Sequence, residues 1–167
     1  GGGRTRELLA WPAAEDWQLR VSVADIEADG PFSAFPEVQR WFAVIEGAGV
    51  VLQFADGERR IECGDEPLHF DGAAAPGCRL IDGPTRDLNL MLRGAAGAMH
   101  TAADGVAWTS RAPCCGLFAA RAGTLSAGER SWALPARTLA WFDETPAAAL
   151  TFRADGGSRG TIGWWLR

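Results

Sequence analysis

The sequence predicts an all-β chain built as two similar lobes with little helix, and three observations carry that reading. Apolar and polar residues alternate with the period of two that sends successive side chains to opposite faces of a strand: Trp17, Leu19, Val21 and Val23 on one face, Gln18, Arg20, Ser22 and Ala24 on the other. Short β-branched and aromatic runs recur between clusters of Gly, Pro and Asp, the pattern of a sandwich or barrel. Three motifs repeat in one order, at offsets of about 71, 72 and 74 residues. Gly57-Glu58-Arg59 returns as Gly128-Glu129-Arg130, Leu68-His69-Phe70 as Ala140-Trp141-Phe142, and Leu90-Met91-Leu92-Arg93 as Trp164-Trp165-Leu166-Arg167.

Taken in order, residues 17–24 form a half-buried strand. Residues 40–45 and 50–54, joined by Glu46-Gly47-Ala48-Gly49, and residues 59–63 after the Asp56-Gly57 turn read as a meander. Further strands are expected at 68–70, 79–81, 87–93, 116–120, 137–142, 150–153 and 161–166. The Gly- and Ala-rich residues 94–105 read as a connector, since Gly94, Gly97 and Gly105 oppose a long helix. The lobes are then residues 1–93 and 106–167, each of a size to form a small jelly roll or barrel, and packing one on the other would cover sheet edges. Duplication also places His69 and Trp141 at equivalent strand positions. The apolar end Trp164-Trp165-Leu166 reads as core or interface, with a platform for sugar rings as the functional alternative.

Composition excludes several classes. With 47% hydrophobic and 22% charged residues the chain is not a disordered tail. Its most apolar stretch, residues 41–54, is interrupted by Glu46, Gly47 and Gly49 short of the roughly 20 residues a membrane helix needs, so no membrane partner is expected. Net charge is −5 and the 16 basic residues are dispersed, with no basic stripe for phosphates, so nucleic acid is not an expected partner either. Every basic residue is Arg, which leaves no ε-amine for Schiff-base chemistry. Cys63, Cys78, Cys114 and Cys115 lack C-x-x-C spacing and read as reduced thiols, which points to the cytoplasm. The chain opens on Gly without Met, and upstream residues are expected to be missing.

Polar groups gather in the first lobe. Gly1-Gly2-Gly3-Arg4-Thr5-Arg6-Glu7 combines backbone donors with two guanidinium groups suited to an anion, or is simply a flexible terminus. Residues 29–36 form a Pro-stiffened loop in which Phe32 and Phe35 could wall a cavity around the Ser33 hydroxyl, or a packed turn. Asp71-Gly72 and residues 82–89 add a turn-rich cluster, read either as a site or as solvated hairpins. No metal site or other cofactor is expected: the only imidazoles, His69 and His100, are far apart, and no pair of Cys has zinc spacing. Ser33 has no G-x-S-x-G frame for nucleophilic catalysis.

These residues carry a resemblance. The Gly1–Glu7 run, residues 17–24 with Asp25, Gly30-Pro31-Phe32-Ser33 with Phe35-Pro36, the Glu46-Gly47-x-Gly49 turn, Phe70-Asp71-Gly72 and Asp82-Gly83-Pro84-x-Arg86-Asp87-x-Asn89-Leu90-Met91 together resemble the HutD (Ves-related) family. The match is nearly continuous over the first lobe and loose over the second. Leu88 stands where Phe is common and Glu37 where Gly is common. The family pattern has a further segment ahead of the triple Gly, which this chain is expected to lack.

The resemblance implies a duplicated cupin-like jelly roll, a bicupin, without the usual cupin metal ligands. It implies a non-enzymatic, regulatory protein of bacterial histidine catabolism that binds a small acidic metabolite, with formylglutamate or urocanate as candidates. The positions matching the family motifs are Arg4, Thr5, Arg6, Glu7, Ser22, Asp25, Phe32, Ser33, Phe35, Asp71, Arg86, Asp87 and Asn89. Several should converge at one mouth of the first barrel, with Arg4, Arg6 or Arg86 anchoring a carboxylate through a bidentate fork; the alternative is pairing with Glu7, Asp25 or Asp87. The rival function is a metal-independent hydrolase or isomerase acting on an acylated amino acid, with Asp25, Glu7 or Asp87 as general acid or base. A third is a scaffold that forms a homodimer through Trp164 and Trp165.

Overall fold

The computed structural model describes residues 3–157 and 160–167 of the chain; Gly1 and Gly2, which open the resembling N-terminal motif, lie outside the described residues. Two compact units meet at Ala96 and Gly97. The first runs through β1 (Gly3–Trp11), β2 (Leu19–Ile26), β3 (Gly30–Pro31), β4 (Val38–Glu46), β5 (Val50–Phe54), β6 (Gly57–Ile61), β7 (Leu68–Asp71), β8 (Gly77–Leu80) and β9 (Thr85–Arg93). The second contains β10 (Met99–Thr101), β11 (Ala107–Trp108), β12 (Cys115–Ala119), β13 (Gly123–Ala127), β14 (Arg130–Leu134), β15 (Thr138–Phe142), β16 (Leu150–Ala154) and β17 (Gly163–Leu166). The one helical element among the described residues is a 3-10 turn, Gly72–Ala74. Among the described residues no helix is long and apolar enough to cross a membrane.

Each unit has two antiparallel sheets. In the first unit their orders are β1-β2-β9-β4-β7 and β3-β8-β5-β6; in the second they are β10-β17-β12-β15 and β11-β16-β13-β14. Apart from the extra edge strand β1, the second unit repeats the first strand for strand, which is the duplication that the motif repeat signals. Its register is not constant, however. Trp41 lies opposite both His69 and Leu90, whereas Gly116 lies opposite Trp141 and Leu166 rather than Trp164. The motif pairings His69 with Trp141 and Leu90 with Trp164 therefore cannot both hold. They differ by two residues, a slip that keeps every side chain on its face.

In the first unit Phe42 and Val44 of one sheet pack against Val50, Leu52, Ile61 and Cys78 of the other. In the second, Leu117, Ala119 and Trp165 pack against Leu125, Leu134, Leu150 and Phe152. Trp164 is 1% and Trp165 2% exposed, so neither is available as a dimer surface or a sugar platform; both are structural.

Other expectations are revised. Of the run read as an anion site or a flexible terminus, residues 3–7 begin a nine-residue edge strand, whose backbone pairs with β2 from Gly3 opposite Ile26 to Trp11 opposite Leu19. The expected meander of residues 40–63 is instead a change of sheet: β4 and β5 lie in different sheets, and only β5–β6 is a hairpin. The change is made at Gly47 and Gly49 (φ 92° and 107°), where a Cβ would stand 2.6 Å from the Pro84 carbonyl oxygen and 2.2 Å from that of Ile61. Within the expected connector, β10 pairs with β17, so those residues build the second unit's sheet. Glu37, at the position where the resemblance expects Gly, sits at φ 64°, a conformation that Gly adopts without the Cβ penalty.

Candidate functional site

A cavity of about 450 Å³ opens inside the first unit. Strand alternation supplies most of its wall. On β2 the residues Arg20, Ser22 and Ala24 face it while Val21 and Val23 face away; on β9 Asp87, Asn89 and Met91 face it while Leu88 and Leu90 face away. β1 adds Thr5, β4 adds Arg40, β8 adds Cys78, and the loop after β3 adds Phe32, Ser33 and Phe35.

A buried polar relay crosses this wall. Arg40, 7% exposed, donates from Nε to Asn89 Oδ1 at 2.8 Å, and Asn89 Nδ2 donates to the Asp87 carboxylate. Asp87 and Asn89 are 1% and 2% exposed. The Arg40 guanidinium lies 4.5 Å above the Phe32 ring and 5.4 Å from that of Phe70, two cation–π contacts that orient it without using its terminal N–H groups. Among the described residues its one hydrogen bond is that from Nε. Burial pulls Arg40 down to about 10, with Asp87 opposing, so it is a cation at neutral pH. Burial pushes Asp87 up to about 7 against the opposing pull of Arg40 and the Asn89 hydrogen bond, and it pushes the Cys78 thiol up to about 11.

The structure brings together Thr5, Ser22, Asp25, Phe32, Ser33, Phe35, Asp87 and Asn89 of the residues expected from the sequence. It does not bring in the three expected anchors. Arg4 and Arg6 alternate with Gly3 and Thr5 on β1 and are exposed. Arg86 alternates with Asp87 and is held outside the wall, its Nε donating to Asp25 at 2.6 Å and its Nη1 to Glu46 at 3.1 Å. Glu7 pairs with Arg20 at 2.7 Å outside the cavity lining. Asp71 caps the 3-10 turn by accepting the Ala73 N–H at 2.8 Å.

Sequence reasoning missed Arg20, Arg40, Cys78 and Met91 as wall residues. Arg40 carried a readable signal: it stands two residues from Phe42 and four from Val44, on the face those residues give to the core, where a lone charge requires a function or a partner. Neither imidazole lines the cavity. His69 stacks on Trp41 at 4.1 Å and bonds Gln39, and exposed His100 belongs to the second unit. Among the described residues no three His, Cys, Asp or Glu side chains are grouped to hold a metal ion, so this donor set does not fit a cupin metal centre.

Two small double-sheet units, one holding a cavity with a buried arginine, define a cupin-like β protein. A solved cupin 2 conserved barrel domain protein from Leptotrichia buccalis shares this fold with a TM-score of 0.58 at 9% identity, over 98% of this chain and 87% of that one. The HutD family model matches residues 1–159, and the chain belongs to the HutD family. Protein Ves of Citrobacter koseri is 35% identical over 95 residues, covering 56% of this chain and 50% of that protein, so the chain matches about half the length of this curated relative. The solved HutD from Pseudomonas fluorescens SBW25 aligns with a TM-score of 0.82 at 26% identity, over 100% of this chain and 88% of that one.

Proposed function

We propose that the first unit binds a small acidic metabolite in the Arg40 cavity without converting it, and that occupancy modulates histidine utilisation. The observation that supports this reading most is Arg40 itself: a buried guanidinium, fixed by Phe32 and Asn89, whose terminal nitrogens remain available to a carboxylate. Membership of the HutD family supports the pathway, and formylglutamate or urocanate fit as acidic candidates. The rival reading, a metal-independent hydrolase or isomerase, draws on Asp87, a buried carboxyl titrating at about 7 as a general acid or base requires.

Titration of formylglutamate, urocanate, glutamate and histidine into the chain, with the same samples assayed for ligand consumption over hours, decides between them. Saturable binding without turnover is expected. Product formation that disappears in Asp87→Asn would establish the enzyme instead, and no binding of any of the four would sink the histidine-pathway reading.

The geometry also predicts which arginines are dispensable. Arg4→Ala and Arg6→Ala should leave affinity within about twofold, since both are exposed. Arg86→Ala should reduce stability by at most about 1 kcal/mol, because its partly exposed ion pairs with Asp25 and Glu46 are screened by solvent. Calorimetric titration and thermal melts of the three variants check this; a tenfold loss of affinity in any of them returns the anchor to that residue.

A further inference from the structure

The carboxyl of Asp87 shares the cavity with Arg40 yet makes no ion pair with it among the described residues; Asn89 stands between them, accepting from Arg40 and donating to Asp87. We propose that Asp87 is the second recognition group of this cavity and acts in its acid form, so that an anionic ligand enters together with one proton. This rests on the reading of the Arg40 cavity as an anion site.

The argument is one of charge placed in a confined space. A ligand carboxylate on the Arg40 terminal nitrogens takes over much of the cation's field that now stabilises the Asp87 anion. It also adds a second negative charge to the same cavity, and two neighbouring carboxylates around one cation do not both ionise without a large penalty. The other charged or titratable groups give Asp87 little relief. From β2, Arg20 is engaged by Glu7, and Asp25 is an acid that itself disfavours the Asp87 anion. From β8, Cys78 is a thiol pushed up to about 11 and therefore neutral, and Asp29 raises it further. From β4, only Arg40 is a cation facing the cavity.

Taking up a proton from solvent brings Arg40, the ligand carboxylate and Asp87 to net zero charge. It also converts Asp87 into an O–H donor. The ligand class is thus a carboxylate for Arg40 that carries a second acceptor oxygen, amide or carboxylate, for Asp87. Because burial already holds Asp87 near 7, the protonated state is accessible at neutral pH.

Calorimetric titration of the full chain with formylglutamate and with glutarate, neither of which titrates between pH 6 and 9, tests this in HEPES and Tris, buffers of different ionisation enthalpy. Proton uptake of about half a proton at pH 7 and close to one at pH 8 is expected, with affinity falling by up to about tenfold per pH unit above 7. Asp87→Asn, which keeps a donor but cannot titrate, should bind at pH 8 at least as tightly as the unmodified chain, without proton uptake. Heat independent of buffer at pH 8, or affinity that rises with pH, overturns the proposal, as does loss of binding in an Asp87→Asn protein with an unchanged melting curve. Should that variant fail to fold, the proton count of the unmodified chain still decides. No binding of either probe at pH 7 or 8 overturns the anion-site reading and this proposal with it; binding without proton uptake overturns this proposal alone.

Discussion

Arg40→Ala is expected to weaken binding of the acidic ligand by roughly 30-fold to several thousandfold, the equivalent of about 2–5 kcal/mol for removing one partner of a buried, hydrogen-bonded charge pair. The effect is large because Arg40 is buried and held in place: Phe32 lies 4.5 Å from the guanidinium, and Nε is committed to Asn89. Truncation leaves the ligand carboxylate desolvated with no cation opposite. It also removes the donor to Asn89 Oδ1, so stability should fall as well, and circular dichroism with a thermal melt must accompany the titration. Arg40→Lys separates charge from geometry. An ammonium keeps the positive charge but lacks the planar fork, so intermediate affinity is expected. A folded Arg40→Ala protein that binds as tightly as the unmodified chain would remove Arg40 from the site.

Trp165→Ala should cost about 3–5 kcal/mol of stability, read as a lower midpoint in urea denaturation. Trp165 is 2% exposed, belongs to the core cluster of Leu117, Leu125 and Phe152, and stacks on Trp108 with ring centroids 4.7 Å apart and planes within 3°. Truncation removes both the transfer free energy of the indole and the contacts around it, and the flanking strands β10 and β12 limit how far the gap can close. A domain's net stability is of the order of 5–15 kcal/mol, so this is a large share. A loss below about 1 kcal/mol would show that the core repacks around the gap. The contrast between the units is physical: on β9 the inward residues Asp87, Asn89 and Met91 leave room, whereas Trp165 on β17, the strand at the same place in the repeated order, fills its interior.

Much of the fold was legible because a strand writes its two faces into alternate residues. The run from Leu19 to Ala24 is a strand on that ground alone, and the Asp56-Gly57 turn marks the β5–β6 hairpin. The segment Gly3–Trp11 was not legible as a strand, since its outer residues are charged and it sits at a sheet edge, where little is buried to enforce a pattern. Nor could local sequence show that the Gly47–Gly49 turn carries the chain into another sheet, because a tight Gly turn serves a hairpin and a change of sheet equally well.

The sequence by itself determined the strand periodicity, the duplication, the family and most of the polar residues that face the cavity, all of which depend on local pattern or on motifs in order. The tertiary structure decided which arginine is buried in the cavity wall. Arg4, Arg6, Arg40 and Arg86 are chemically alike, and what distinguishes them is the face of the strand each occupies and the partner that ladder register brings opposite. Arg86 meets Asp25 from 61 positions away and turns outward; Arg40 meets Asn89 from 49 positions away and is buried. Such partners are set by the pairing of distant strands, and composition, spacing and periodicity along a single strand carry no information about them.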